Sequence, residues 1–297
     1  MKRLVLLGLD CHFTRGVIAA LAQHAIRPTL LILPGPPGSP LSMVQPTPPD
    51  LGRMLQMAPA RSDVHPTPPP MHALADTTIR VGSLNDPALF ARVAALQPDA
   101  IAVACYLKRV PRALSRLAPL AVNVHPSLLP RHRGPDPLFW TFHAGDAQSG
   151  VTIHALAPGF DQGDVLAQER VPLPLDAAES SIDADLAQRG GALLASLLAG
   201  GRGGAMKQDE ARATYETWPT DDDLVLTPEW TVERAWRCLH GLRERALPFR
   251  FVSNDGDVAI NAPVRFGTRD EPAPGPQPDE CALAFADGWL VVRVRPE

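Results

Sequence analysis

The sequence predicts an α/β protein: an open, mostly parallel sheet covered by helices, followed by a small C-terminal domain that is β-rich and barrel-like. Three observations carry this. Short, continuous apolar runs alternate with helix-length segments through the first 200 residues, the pattern of strands buried on both faces. A glycine cluster, Gly200-Gly201-Arg202-Gly203-Gly204, interrupts the chain where that alternation stops, as linkers do. Beyond it, short strand-like runs are joined by Pro- and Gly-rich turns, the punctuation of a small barrel. The expected division is 1–200 for the α/β domain, 201–220 for a linker and 221–297 for the β-rich domain. With 297 residues and 45% hydrophobic composition, the chain is long enough for one large domain or two modest ones.

Residues 3–9 (RLVLLGL) read as a buried strand, followed by a helix over 14–24 with Thr14 as its N-cap. A second strand spans 28–33. Residues 34–74 form a proline-rich stretch: positions 34–70 alone hold 12 of the 33 prolines. With no helical or alternating period, it is expected to be a flexible loop. A helix over 86–96 precedes a strand at 99–105, and 120–124 is another short strand. Gly8 and Gly16 do not complete G-x-G-x-x-G, so the dinucleotide fingerprint is absent. Strands at 151–156 and 165–173 lead into a helix over 179–198. After the glycines come a helix over 232–243 and strands at 249–253, 257–260, 282–286 and 289–294.

The four cysteines (Cys11, Cys105, Cys238, Cys281) include no C-x-x-C pair. That argues against a zinc knuckle or a disulfide scaffold and fits a reducing compartment. The apolar run after Arg3 ends at Asp10, too short for a signal sequence. The longest apolar run, 100–107, is far short of a membrane span. A cytoplasmic protein is expected. Charge is uneven: 17 basic and 15 acidic residues precede Lys207, whereas 11 and 17 follow from it, a net −6 for the tail.

One segment stands out for chemistry, Asn123-Val124-His125-Pro126-Ser127-Leu128-Leu129-Pro130-Arg131-His132-Arg133-Gly134. It starts at the end of a predicted parallel strand, where open α/β sheets place their sites. Asn123 and His125 are two apart, so both side chains leave one face of the strand. An amide and an imidazole on a face that should be apolar cost free energy unless they are used or satisfied. A lone histidine there would be structural; the surrounding segment changes that reading.

With Gly150-Val151-Thr152-Ile153-His154 and Asp161-Gln162-Gly163-Asp164-Val165-Leu166 following in order, the sequence resembles the 10-formyltetrahydrofolate-dependent formyltransferase family. Members share N-x-H with S-L-L-P, then G-V-T-x-H, then D-x-G-D, and the 38 positions from Asn123 to Asp161 match the family spacing. The resemblance covers most of 1–200. It implies a Rossmann-like formyltransferase fold and 10-formyltetrahydrofolate as formyl donor; no metal is expected, since the His and acidic residues show no ligand spacing. It also places the folate pocket along Tyr106, Leu107, Lys108, Arg109, Val110 and Pro111 and along 157–160, including Phe160. Relatives commonly show Y-G-x-I-L-P where this chain has Y-L-K-R-V-P, so Leu107 and Arg109 alter the pocket wall.

The residues also make chemical sense by themselves. Moving a formyl group to an amine requires stabilising a tetrahedral oxyanion and removing a proton from nitrogen. Asn123 and His125 are assigned to the oxyanion. Asp161 is assigned to favouring the protonated imidazole and relaying the amine proton. The composition of 159–163 also suits a plain turn. His154 is expected to be structural or in support of the site, His132 and His143 to be surface or core residues, and Ser127 to hold the turn rather than act as a nucleophile. Lys108, Arg109, Arg112 and Arg116 form a basic stripe if their segment is helical, suited to folate carboxylates or an acceptor phosphate.

The two-domain layout and Ala213-Thr214-Tyr215 resemble the methionyl-tRNA branch of the family. The acidic tail cuts against tRNA, since phosphate contacts dominate nucleic-acid affinity; Arg234, Arg237, Arg243, Arg245 and Arg250 remain as a candidate local patch. The alternatives are an amino sugar nucleotide or other small amine as acceptor, hydrolysis of the formyl donor, and a catalytically silent folate or partner binder.

Overall fold

The computed structural model describes residues 2–44, 70–201, 204–254, 256–273, 275 and 277–294. Most of the proline-rich stretch, 45–69, lies outside them. By compactness the chain divides between Val122 and Asn123.

The first unit is built around β1 (Leu4–Gly8), which pairs in parallel with β2 (Leu30–Pro34) on one side and β5 (Ala100–Ala104) on the other. All five residues of β1 and of β5 are buried, as continuous apolar runs require. Outside β2 lies parallel β4 (Thr77–Val81), and β3 (Ser42–Met43) pairs antiparallel with β4. The chain leaves β1 to one side and later returns to the other, which makes the C-terminal ends of β1 and β5 the switch point of the sheet. Helix α1 spans His12–Gln23 and α2 spans Pro87–Leu96, the latter capped by the Asp86 carboxylate on the Ala88 N–H. Thr14 is not the cap expected of it. Cys11 takes that position, and Thr14, fully buried inside α1, donates its hydroxyl to the Ala104 carbonyl at 2.8 Å. Helix α3 is a single turn, Arg112–Ser115, preceded by Pro111.

Strand β6 (Leu120–His125) carries the boundary between the units. In the second unit β7 (Gln148–Ala155) and β8 (Val165–Pro172) form an antiparallel pair. The larger sheet runs in the order β3-β4-β2-β1-β5-β6-β7-β8. Helices α4 (Pro137–His143) and α5 (Glu179–Leu198) also belong to this unit. Gly190 lets α5 approach closely, because a Cβ there would sit 2.6 Å from Val124 Cγ1.

The C-terminal segment holds α6 (Val232–Gly241), capped by the Thr231 hydroxyl, and a five-stranded sheet. Its strands are β9 (Val225–Leu226), β10 (Arg250–Ser253), β11 (Gly256–Thr268), β12 (Glu280–Ala284) and β13 (Gly288–Val294), in the order β12-β13-β11-β10-β9. The long β11 continues well past residue 260 by shifting register twice around Pro263. No helix among the described residues is long and apolar enough to cross a membrane.

Candidate active site

Strand β6 ends with Val122, Val124 and His125 buried and Asn123 half-buried. Asn123 and His125 therefore leave the sheet on one face while the valines pack behind them. Asp161 meets them from the turn after β7, with 8% of its surface exposed. One carboxylate oxygen, Oδ1, lies 3.2 Å from Asn123 Nδ2, 3.7 Å from His125 Nδ1 and 3.3 Å from His154 Nε2. The other, Oδ2, accepts the Gly134 backbone N–H at 2.9 Å. Asp161 has φ +54°, a left-handed conformation that its short polar side chain tolerates. Neighbouring Gly163 is required by packing, since any Cβ would overlap the Ala155 carbonyl.

Hydrogen bonds to carbonyls assign the ring protons. His125 Nε2 lies 2.8 Å from the His132 carbonyl and must donate to it, leaving Nδ1 facing Asp161. His154 Nδ1 donates to the Ala155 carbonyl at 3.0 Å. Its Nε2 then accepts the second N–H of Asn123 at 3.2 Å. Both Asn123 amide protons are thus directed at Asp161 and His154.

Burial pushes the His125 imidazole pKa down more than the Asp161 charge raises it. The imidazolium expected from the sequence is therefore not the resting form, because desolvation outweighs the neighbouring carboxylate. Burial would raise the Asp161 carboxyl, but in the acid range where it titrates the protonated His125 and His154 rings, with the Gly134 N–H, more than offset it. Asp161 stays ionised, well below the usual carboxylate range.

The loop 126–134 is pinned from two sides. Thr152 on β7 donates to the Ser127 carbonyl at 2.6 Å, and Gln168 on β8 donates to the Leu129 carbonyl at 2.9 Å. Ser127 donates to the Arg131 carbonyl at 2.8 Å, a turn-holding contact. From the other side comes a strap, residues 206–217, within the stretch expected as linker. Met206 exchanges backbone hydrogen bonds with Val165. Gln208 Nε2 donates to the carbonyls of Asp161 and Gly163, both at 2.7 Å, while its Oε1 receives Arg133. The Arg133 guanidinium, 2% exposed, also forks onto Glu210. Thr214 Oγ1 receives the His132 N–H, and Glu216 N–H bonds the Arg133 carbonyl.

Two histidines thus matter more than their sequence context suggested. The signal for His154 is its alternation with Gly150 and Thr152 along β7. His132 is buried between Asp146 and Glu216, partners too distant in sequence to be foreseen.

In the first unit, Tyr106 to Pro111 follow β5. Leu107 and Lys108 are exposed, Tyr106, Val110 and Pro111 half-buried, and Lys108 Nζ donates to the Gly82 carbonyl at 3.2 Å. The Tyr106 hydroxyl is buried without a hydrogen-bond partner among the described residues, and burial pushes its pKa up to about 12. The expected basic stripe does not form one helix face: only Arg112 is within α3, and Lys108 and Arg109 precede Pro111 in non-helical chain. In the second unit Phe160 is 48% exposed, with its carbonyl 3.4 Å from the Tyr215 hydroxyl.

Residues 56–198 match the formyl transferase domain family. The chain is similar to methionyl-tRNA formyltransferase of Roseiflexus sp. (strain RS-1), 41% identical over 229 residues that span 72% of this chain and 68% of the relative. It is likewise 41% identical over 212 residues to methionyl-tRNA formyltransferase of Anaeromyxobacter dehalogenans (strain 2CP-C), covering 70% and 67% of the two chains. Among solved structures, the fold matches an N-formyltransferase from Helicobacter canadensis in complex with folinic acid and dTDP-3-aminofucose. That match has a TM-score of 0.62 at 12% identity over 99% of both chains.

Proposed function

We propose, from the premise that this chain belongs to the 10-formyltetrahydrofolate-dependent formyltransferase family, that Asn123, His125 and Asp161 carry its formyl transfer to a primary amine. The observation behind this assignment is the convergence of Asn123 Nδ2, His125 Nδ1 and His154 Nε2 on a single Asp161 oxygen.

Asn123 swings one N–H from His154 to the formyl oxygen as that oxygen gains negative charge. Such a donor acts strongly in a site from which water is excluded. Asp161, ionised and buried, takes the proton that the attacking nitrogen loses, directly or through one water. His125 Nδ1 is the next acceptor of that proton. The resulting imidazolium, stabilised by the Asp161 charge, adds a positive partner for the oxyanion. The donor supplies the activated formyl group, and as the tetrahedral centre collapses the His125 imidazolium returns that proton to the leaving folate nitrogen, restoring the neutral ring. His154 holds the Asn123 amide in register.

Tyr106, Leu107, Lys108, Val110, Pro111 and Phe160 are assigned to the folate. The unpartnered Tyr106 hydroxyl beside an exposed Leu107 suits a flat ring with a polar edge. Methionyl-tRNA is the proposed acceptor, supported by relatives of that name at up to 41% identity. A second reading, an amino sugar nucleotide or other small amine, is favoured by the net −6 of the tail.

The test is formyl transfer from 10-formyltetrahydrofolate to charged initiator tRNA, run beside a panel of amino sugar nucleotides. Transfer to tRNA supports the first acceptor, and transfer to a small amine alone supports the second. Consumption of the donor with no formylated amine would replace transfer by hydrolysis. An Asp161→Asn variant that kept full activity would remove the proposed proton relay.

A further inference from the structure

His132 occupies a place that its sequence context does not explain. It is 4% exposed, and its backbone has φ +56°, a conformation uncommon for L-residues and entered mostly by Asn, Asp and His. Its Nε2 lies 2.9 Å from Asp146 Oδ2 and its Nδ1 3.2 Å from Glu216 Oε1. A neutral imidazole has one N–H and one lone pair, so two carboxylates facing both nitrogens require both to be protonated. Its carbonyl, meanwhile, receives the proton on His125 Nε2 at 2.8 Å.

We infer that His132 is a positioning residue: clamped as an imidazolium between Asp146 and Glu216, it fixes the peptide carbonyl that sets the His125 tautomer. The clamp joins three pieces of chain: the loop 126–134, the turn between α4 and β7 that carries Asp146, and the strap that carries Glu216. The Arg133 N–H, on the same peptide as that carbonyl, donates to the Thr214 carbonyl at 3.2 Å, so the peptide is held at both ends. With the carbonyl in place, the His125 proton belongs on Nε2 and the lone pair on Nδ1 faces Asp161. With the carbonyl displaced, either tautomer is allowed and the Asp161 carboxylate draws the proton to Nδ1, the wrong nitrogen. This rests on the catalytic reading of His125 given above.

The charged groups facing the His132 ring are Asp146, Glu216 and Arg131, whose Nη2 lies 2.9 Å from Asp146 Oδ1 and 3.5 Å from His132 Nε2. Burial opposes the His132 charge, and the hydrogen bonds it donates to Asp146 and Glu216 more than offset it, so its pKa is raised. A raised histidine pKa means that the clamp is complete below the ordinary value and is lost as pH rises through the folded one.

The experiment compares the full chain with His132→Asn, which tolerates the left-handed backbone but carries no charge, and Glu216→Gln, which removes one of the two carboxylates. Imidazole nitrogen spectra of histidine-labelled protein read the His125 tautomer without turnover. The expected result is a single Nε2–H form of His125 in the parent and a mixture in His132→Asn. For that variant kcat falls about tenfold while the donor KM stays within about twofold, because proton-transfer alignment is lost rather than binding. In Glu216→Gln, the alkaline fall of kcat moves to lower pH, because the His132 pKa drops. His125 remaining wholly in the Nε2–H form in His132→Asn, or an unmoved alkaline limb in Glu216→Gln, would overturn the inference. If His132→Asn does not fold, the Glu216→Gln pH profile decides alone. Failure of the parent to transfer formyl groups would sink the functional reading while leaving the tautomer measurement intact.

Discussion

Replacing Gly134 by alanine tests whether the strap and the carboxylate of the site are mechanically one object. Gly134 has φ +121°, a region essentially reserved for glycine, and forcing another residue there costs about 1–3 kcal/mol. A Cβ at this position overlaps the carbonyl oxygen of Glu216, so the strap has to retreat by about 1 Å to reach ordinary van der Waals separation. Two things move with it. The Gly134 N–H, 2.9 Å from Asp161 Oδ2, loses its alignment, and a hydrogen bond to a charged group contributes about 1.5–3 kcal/mol. Glu216 withdraws from His132. A stability loss of about 2–4 kcal/mol follows from the strain and a partly lost hydrogen bond together. For a unit of this size that lowers Tm by about 4–16 °C at roughly 2–4 °C per kcal/mol. A misplacement of about 1 Å near reacting groups costs on the order of a hundredfold in rate. Thermal unfolding and kcat at saturating donor measure the two effects. Unchanged kcat in a well-folded Gly134→Ala protein would refute the link between strap and site.

Asp161→Asn should lower kcat by about 10²- to 10⁴-fold, the usual reach of a positioned base. Because the Asp161 pKa is depressed, its stabilising contribution is complete above the ordinary value of about 3.9 and is lost as pH falls through the folded value. Denaturant unfolding should therefore give a parent-to-variant stability difference that is level from neutral pH to mildly acidic pH and changes only in strong acid; a difference that vanished near pH 6 would contradict this. Tyr106→Phe should stabilise the protein by up to about 1–3 kcal/mol, by removing an unpaired buried hydroxyl, while raising the donor KM. An unchanged KM would take Tyr106 out of the folate site. Cys11, half-buried at the switch point, has its thiol lowered to about 5 by a hydrogen bond from Cys105, with Thr14 assisting. Iodoacetamide should modify it at a rate nearly independent of pH between about 6 and 8, and Cys105→Ala should restore a rise with pH. Cys238, buried and pushed up to about 12, should react only on unfolding.

The sequence pattern revealed most where burial on both sides dictated it. Strands β1 and β5 are uninterrupted apolar runs, and α5 was legible from end to end. Strand β4 escaped because Thr77, Thr78 and Arg80 break its apolar run, and β11 was cut short at residue 260 because Pro263 and Gly267 read as breakers. Both breakers are accommodated within its strand span, with register shifts on either side of Pro263. The basic stripe failed for a local reason, since Lys108 and Arg109 lie in non-helical chain before Pro111 and the helix starts only after it. At the site, Asn123 and His125 stood out because polar groups on a buried strand face need a reason. No comparable signal marks His132, Gln208 or Glu216. Their importance arises from pairings across 14 to 84 positions, which no local periodicity encodes.

The choice of acceptor turns on where the C-terminal arginines point. Arg237 is 8% exposed, bonded to Glu233 and to the Leu173 carbonyl. Arg245 bridges Asp136 and Glu179, tying the β-rich segment to α4 and α5. Arg234 lies 3.5 Å above the Trp230 ring and donates to the His143 carbonyl. Arg243 is directed at the carbonyls of His240 and Ala177. Arg250 pairs loosely with Asp257 at 3.6 Å, both half exposed, and so is the readiest of the five to exchange its partner for a phosphate. A guanidinium held in a buried pair gives up hydrogen bonds and leaves a carboxylate unpaired if it turns outward. Arg234, Arg237 and Arg245 therefore serve the packing of this unit before they serve any ligand, whereas Arg243 and Arg250 are exposed. Gripped by this patch alone, an RNA acceptor would find few phosphate contacts, and its binding would show a shallow dependence on salt. A small amine would need no such grip. The acidic tail and its three packed arginines are thus one argument: there, charge serves first to hold the strand-rich segment in place.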